Sequence, residues 1–244
     1  MRFFCGIHHP SDAIRVPAAF VSVNAIRNRK SAFSVLGDWI MDSGAFTTIA
    51  KHGGYPEPVE AYAEQVRRWK SNGNMLAAIS QDYMCEPMML EKTGKSIPHH
   101  QWLTIWRYDQ LLACKTGAYI MPVLQGYAPS NYAQHVKDYG DRLADGQWVG
   151  VGSVCKRNSD PGKIVEVLSA IKKVRPDLRL HGFGLKLTAL QSGLIRQLLD
   201  SADSMAWSFA ARMQGRNPND WREAVSFVHR IENASYQHDM GFLC

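Results

Sequence analysis

The sequence predicts a (β/α)8 barrel, and three observations carry that prediction. Short strand-type runs alternate with helical patterns along most of the 244 residues, which implies parallel strands joined by crossover helices. Eight such runs are present, the number that closes a barrel. Several of them stop at a polar residue beside a glycine or a turn, which would gather polar groups at one mouth. A doubly wound open sheet shares the β–α unit and stays open as the alternative, because periodicity does not separate the two.

In chain order the strand runs begin with RFFCGI (2–7), AFVSV (19–23), WIMDSGAF (39–46) and MLAAISQDY (75–83). AYIMPVLQGY (118–127), WVGVGSV (148–154), LRLHGFGL (178–185) and ADSMAWSF (202–209) complete the set. Residues 58–70 place Val59, Tyr62, Ala63, Val66 and Trp69 on one helical face, and Pro58 suits a first turn. Residues 99–115, 161–174, 189–200 and 218–232 read as helices by the same spacing, the last with Trp221, Val225 and Val228 facing inward. The segment 84–101 reads as a long connection, placed where barrel loops build active sites. No repeat or linker divides the chain, so residues 1–244 are expected to form one domain.

The composition sets further bounds. A hydrophobic content of 45% supports one large core, and disorder is excluded for most of the chain. A net charge of +6 tilts the expected partner toward an anion such as nucleic acid. The five cysteines, Cys5, Cys85, Cys114, Cys155 and Cys244, lie far apart with no C-x-x-C pair. That spacing predicts neither a disulfide framework nor a compact zinc site, but buried thiols in a reducing compartment. His8, His9, His99, His100, His181 and His238 lack a tight ligand spacing, so no metal is expected. No run approaches the ~20 apolar residues of a membrane span, and the first residues lack a signal peptide's apolar stretch. A soluble cytoplasmic protein with no membrane partner is the expectation.

The strand ends carry the chemistry. MDSGAF (41–46), SQDYMCEP (80–87), PVLQGY (122–127), VGVGSV (149–154), HGFGLK (181–186) and ADSMAWS (202–208) follow one another in that order. This ordered set resembles the tRNA-guanine transglycosylase superfamily over about residues 39–216. Within it, the chain is most similar to the phage and bacterial deazapurine-DNA transglycosylases, often called DpdA. The tRNA enzymes carry a cysteine-rich zinc site after the late aspartate block, whereas residues 210–244 here contain Cys244 alone. No appended RNA-binding domain is expected, and Thr47 stands where the superfamily has glutamine.

The resemblance implies exchange of guanine in DNA for a 7-deazaguanine derivative, such as 7-cyano-7-deazaguanine, through a covalent aspartyl-glycosyl intermediate. Such an exchange needs a carboxylate nucleophile and a second acid/base group, with no redox cofactor or ATP. The resemblance places the nucleophile at Asp203, with Asp42 as the acid/base or an aid to substrate binding. Asp82 would read the N1–H and amino edge of the base, and Gln125 with Gly126 its carbonyl edge. Gly152 and Ser153 would offer backbone N–H groups, with Ser43, Gly44, Gly184 and Lys186 lining the same pocket. Phe46, Tyr83 or Met205 would stack on the base. Lys156, Arg157, Arg212 and Arg216 follow strand ends and are the candidate phosphate contacts. Each aspartate also has a structural reading: an Asx-turn for Asp42, a helix N-cap for Asp82, a turn shared with Ser204 for Asp203. The expected partners are DNA and the free base, in the cytoplasm of a bacterial host cell, with homodimerisation left open. The alternatives are a tRNA-guanine transglycosylase lacking zinc, a non-catalytic nucleic-acid-binding barrel and a small-molecule glycosidase.

Overall fold

The computed structural model describes residues 1–157 and 159–240. Cys244 lies outside the described residues, as do the side chains of Lys156 and His238. The strands are β1 (Arg2–Gly6), β2 (Ala18–Ser22), β3 (Asp38–Asp42), β4 (Asn74–Ile79), β5 (Ile120–Met121), β6 (Val123–Leu124), β7 (Trp148–Val151), β8 (Arg179–Gly182) and β9 (Ser201–Ser204). All pair in parallel, in the order β5-β4-β3-β2-β1-β9-β8-β7-β6.

The two ends of that order are adjacent in the chain. β5 and β6 are halves of one strand divided by Pro122, which has no N–H to give to a ladder. The first half pairs with β4 (Ala78↔Ile120) and the second with β7 (Leu124↔Val151). The Pro122 carbonyl accepts from the Gly150 N–H at 2.8 Å. The sheet therefore curls into one nearly closed barrel, eight-stranded when counted through Pro122. The open-sheet alternative falls.

The helices are α1 (Val23–Ile26), α2 (Ala45–His52), α3 (Val59–Trp69), α4 (Pro87–Thr93), α5 (Ile97–Ala113), α6 (Pro129–Tyr139), α7 (Pro161–Val174), α8 (Leu187–Leu190), α9 (Gly193–Leu198), α10 (Ala206–Met213) and α11 (Trp221–Met240). The predicted helix over 161–174 coincides with α7, and those over 58–70 and 99–115 fall within two residues of α3 and α5. The predicted strand over 202–209 is corrected: it stops at Ser204, whose hydroxyl accepts the Ala206 N–H at 3.1 Å and starts the turn into α10. The segment 84–101 is not a plain connection, since it holds α4 and the first turn of α5. On α11, Val228 is buried as expected, with Ala224, Phe227 and Ile231, while Trp221 and Val225 are only half-buried.

Strand side chains alternate between two cores. One face packs outward under the helices through residues such as Trp39, Met41, Val149, Val151 and Leu180. The other fills the lumen with Phe4, Ala18, Ile40, Ala77, Ile79, Met121 and Val123, joined by Phe20, Trp148 and Phe183. Gly150 sits on the lumen side, where a Cβ would lie 2.4 Å from the Phe183 ring. The same alternation carries Asp42, Gln125, His181 and Asp203 to the lumen, toward the C-terminal ends of their strands. Among the described residues no helix is long and apolar enough to cross a membrane.

Candidate active site

Asp82 is buried just beyond β4 and is held by a chain of side chains from three strand ends. Gln125 Nε2 donates to Asp82 Oδ2. The Ser153 hydroxyl donates to Gln125 Oε1 at 2.9 Å and itself accepts the Cys85 N–H at 3.3 Å. These partners fix the Gln125 amide the right way round, since a carboxylate only accepts. Its backbone is fixed as well: the N–H donates to His135 Nδ1 at 2.9 Å and the carbonyl accepts from Gln101 Nε2 at 2.7 Å. Asp82 is not a helix N-cap, because α4 begins at Pro87 and its N-cap is Glu86.

Gly152 is where the backbone passes closest to this network. A Cβ there would lie 2.1 Å from Gln125 Nε2. Gln125 is fully buried and bonded at both ends of its amide, so it has nowhere to yield. Gly152→Ala is therefore expected to break the Gln125–Asp82 contact while the barrel stays folded. The free 7-deazaguanine base that the resemblance implies as ligand should then bind more weakly by roughly 1–2 kcal/mol in calorimetry.

Asp42 ends β3, half-buried, and its Oδ2 accepts the Gly44 N–H at 3.1 Å, so the Asx-turn is present. Gly44, the N-cap of α2, is left-handed (φ 71°), a conformation that glycine adopts without strain. Burial pushes the Asp42 carboxyl up to about 6, the Gly44 bond opposes the rise and the nearby Asp203 charge adds to it. Burial likewise pushes Asp82 up to about 7, against the Gln125 hydrogen bond and with help from the charges of Asp42 and Glu86. Asp42 thus feels Asp203, and Asp82 feels Asp42, so the three carboxylates face one space. Two of them titrate near neutrality, where proton transfer is most effective.

Asp203 lies buried on β9, opposite Phe4 of β1. It does not pair with Ser204. Its Oδ1 accepts the Gly184 N–H at 3.1 Å and lies 3.3 Å from His181 Nε2. His181 is the residue that sequence reasoning missed, having been weighed only as a metal ligand. The strand alternation on β8 was the available signal. Among the described residues no three His, Cys, Asp or Glu side chains gather as a metal site would require.

The remaining predicted residues divide. Ser43 is buried, and among the described residues its hydroxyl has no hydrogen-bond partner. Phe46 and Met205 are exposed. Tyr83 is withdrawn from the set of stacking rings: it packs edge-on to Tyr55 and His100 within a small core cluster. Gly126 faces α6, where a Cβ would lie 2.8 Å from Asn131. Ser153 adopts a left-handed backbone (φ 60°), and Arg157 braces it by donating to its carbonyl at 2.8 Å and to the carbonyl of Tyr127. Lys186 lies 5.6 Å over the Phe209 ring. Arg216 pairs with Glu223, whereas Arg212 is solvent-exposed on α10.

The family model of DpdA, described as DeoxyPurine in DNA protein A, matches residues 1–230. No curated protein matches the chain.

Proposed function

The chain belongs to the DpdA family, and we propose that it exchanges guanine in DNA for a free 7-deazaguanine base by transglycosylation. The observation that carries this reading is the set of three aspartates at one barrel mouth, with Asp42 interacting with both Asp203 and Asp82 and with the carboxyls of Asp42 and Asp82 raised to about 6 and 7. One carboxylate serves as nucleophile, one as acid/base and one as reader of the base.

In this mechanism the target guanine leaves the DNA stack and enters the barrel mouth. Asp82, as carboxylate, accepts the N1–H and amino protons of the base. The second N–H of the Gln125 amide faces its carbonyl, and the Ser153 and Gly152 backbone lies along the ring. Asp203 attacks the anomeric carbon, the C1′–N9 bond breaks, and the Asp42 acid gives its proton to the departing guanine. The incoming base returns a proton to Asp42, its nitrogen forms the new bond to C1′, and the Asp203 ester is released. One glycosidic bond replaces another, so the balance needs no further reactant.

Phosphate contacts follow the charges that pair with no carboxylate among the described residues. Arg212→Ala is expected to weaken binding to all DNA sequences alike and to flatten the salt dependence by about 0.9 in slope, one phosphate contact. Arg216→Ala, whose charge is matched by Glu223, should change the slope less. Fluorescence titration at several salt concentrations measures both. Labelled guanine offered with duplex DNA and with tRNA tests the function itself. Label entering DNA is the expected result, and label entering tRNA alone would transfer the activity to the tRNA-type reaction.

A further inference from the structure

We propose that His181 is a positioning residue for Asp203, the last donor of a one-way hydrogen-bond relay from Trp148 through Ser201. The proposal rests on the transglycosylase reading, in which Asp203 is the nucleophile.

The direction of the relay follows from which atoms carry protons. The indole of Trp148 can only donate, and it does so to Ser201 Oγ at 2.8 Å. Ser201 Oγ then holds one proton, and its other neighbour is His181 Nδ1 at 2.9 Å. On the far side of the ring, His181 Nε2 lies 3.3 Å from Asp203 Oδ1. A carboxylate only accepts, so Nε2 carries the imidazole proton and Nδ1 accepts from Ser201. The opposite tautomer would set two unprotonated atoms, Nε2 and Oδ1, against each other. It would also leave the Ser201 proton without an acceptor among the described residues, and a buried unused donor is costly.

The surroundings keep the ring in this orientation. His181 and Ser201 are buried. Phe20 stacks on the imidazole at 5.8 Å, while Phe183 and Trp148 meet it edge-on at 4.9 and 5.9 Å. The relay thus delivers a donor to Oδ1, where the Gly184 N–H also arrives at 3.1 Å. Among the described residues no hydrogen bond reaches Oδ2. Both donors hold one oxygen, and the other is presented to the anomeric carbon. The relay orients the nucleophile as a second group orients the base of a hydrolytic triad, with the order of roles reversed.

Single-turnover capture of DNA by wild type, His181→Leu, His181→Gln and Ser201→Ala tests the relay, with free-base affinity as the control. His181→Leu is expected to slow adduct formation about 10–100-fold, the worth of one charge-assisted hydrogen bond, with base affinity nearly unchanged. His181→Gln keeps an N–H donor and should recover most of that loss. Ser201→Ala should slow wild type by about threefold to tenfold, the worth of one neutral hydrogen bond. A similar cost is expected in the His181→Gln background, because the Ser201 hydroxyl would hold the amide oxygen and so keep the N–H end toward Asp203. A folded His181→Leu protein that forms adduct at the wild-type rate would overturn the proposal. Nitrogen-15 spectra of the His181 ring supply a readout that needs no activity. A ring carrying its proton on Nε2 is expected, and a ring carrying its proton on Nδ1 would overturn the relay even if the leucine variant fails to fold. A wild-type protein that forms no adduct at all would instead count against the transglycosylase reading, leaving the spectra to decide the relay.

Discussion

Replacing Asp203 with alanine is expected to abolish base exchange and covalent capture of DNA together, with exchange falling on the order of 10⁴–10⁶-fold. The side chain is buried, its Oδ1 is held by the Gly184 N–H and faces His181, and it shares its space with Asp42. A carboxylate fixed in this way loses little entropy on attack and needs no further activation. Asp42→Ala should also lose exchange, about 10²–10⁴-fold, because the departing guanine is no longer protonated. Denaturing gels of each variant after incubation with DNA separate the two roles. An adduct that survives in Asp203→Ala would move the nucleophile to another residue, with Asp42 next in line.

The second large effect belongs to Asp82 and to pH. Burial holds its carboxyl up at about 7, yet reading the N1–H and amino edge of the base requires the ionised form. Below that pH, binding the base must first expel a proton. Its Kd should therefore rise about tenfold for each pH unit below 7, and each binding event should release close to one proton. Asp82→Asn should bind weakly at every pH and show no such slope. Calorimetry in buffers of different ionisation enthalpy measures both quantities, and a Kd that is flat from pH 5 to 8 in wild type would remove Asp82 from base recognition. The stability of the free protein runs the other way. A carboxyl raised on folding stabilises most below its unfolded pKa near 4, and that contribution is lost as pH rises through about 7. The melting temperature of wild type should fall between pH 5 and 8, and Asp82→Asn should lessen the fall.

The strands were legible because each carries a short apolar run ending at a polar residue, and all eight predicted runs contain or overlap an observed strand, the last running past its end. What the runs hid was how the ends meet. Pro122 divides one strand into halves that serve opposite edges of the sheet, and that closure depends on pairing rather than on local pattern. α6 escaped notice because its buried face is Tyr132, His135, Val136 and Tyr139. The spacing is helical, but three of the four side chains have polar tips and do not read as an apolar stripe. Those tips are used: Tyr132 donates to the Gly152 carbonyl at 2.8 Å, and Tyr139 to that of Val123 at 3.0 Å. At the site, Asp42, Asp82, Gln125, Ser153 and Asp203 were found from their places at strand ends, and the fold gathers them. His181 was not, because a lone histidine in an apolar strand looks the same whether it fills a core or serves a neighbour. The engagement of Arg157 and Arg216 with Ser153 and Glu223 was equally invisible, since it depends on how the turns after β7 and α10 fold back.

The most direct test of the central claim is mass spectrometry of digested nucleosides after purified protein is incubated with duplex DNA, tRNA and free 7-cyano-7-deazaguanine. The account predicts the deazaguanine deoxynucleoside in the DNA fraction, guanine released in equal amount, and neither with Asp203→Ala. Deazaguanine confined to the tRNA fraction, or DNA left unmodified while the wild-type protein binds both substrates, would contradict it.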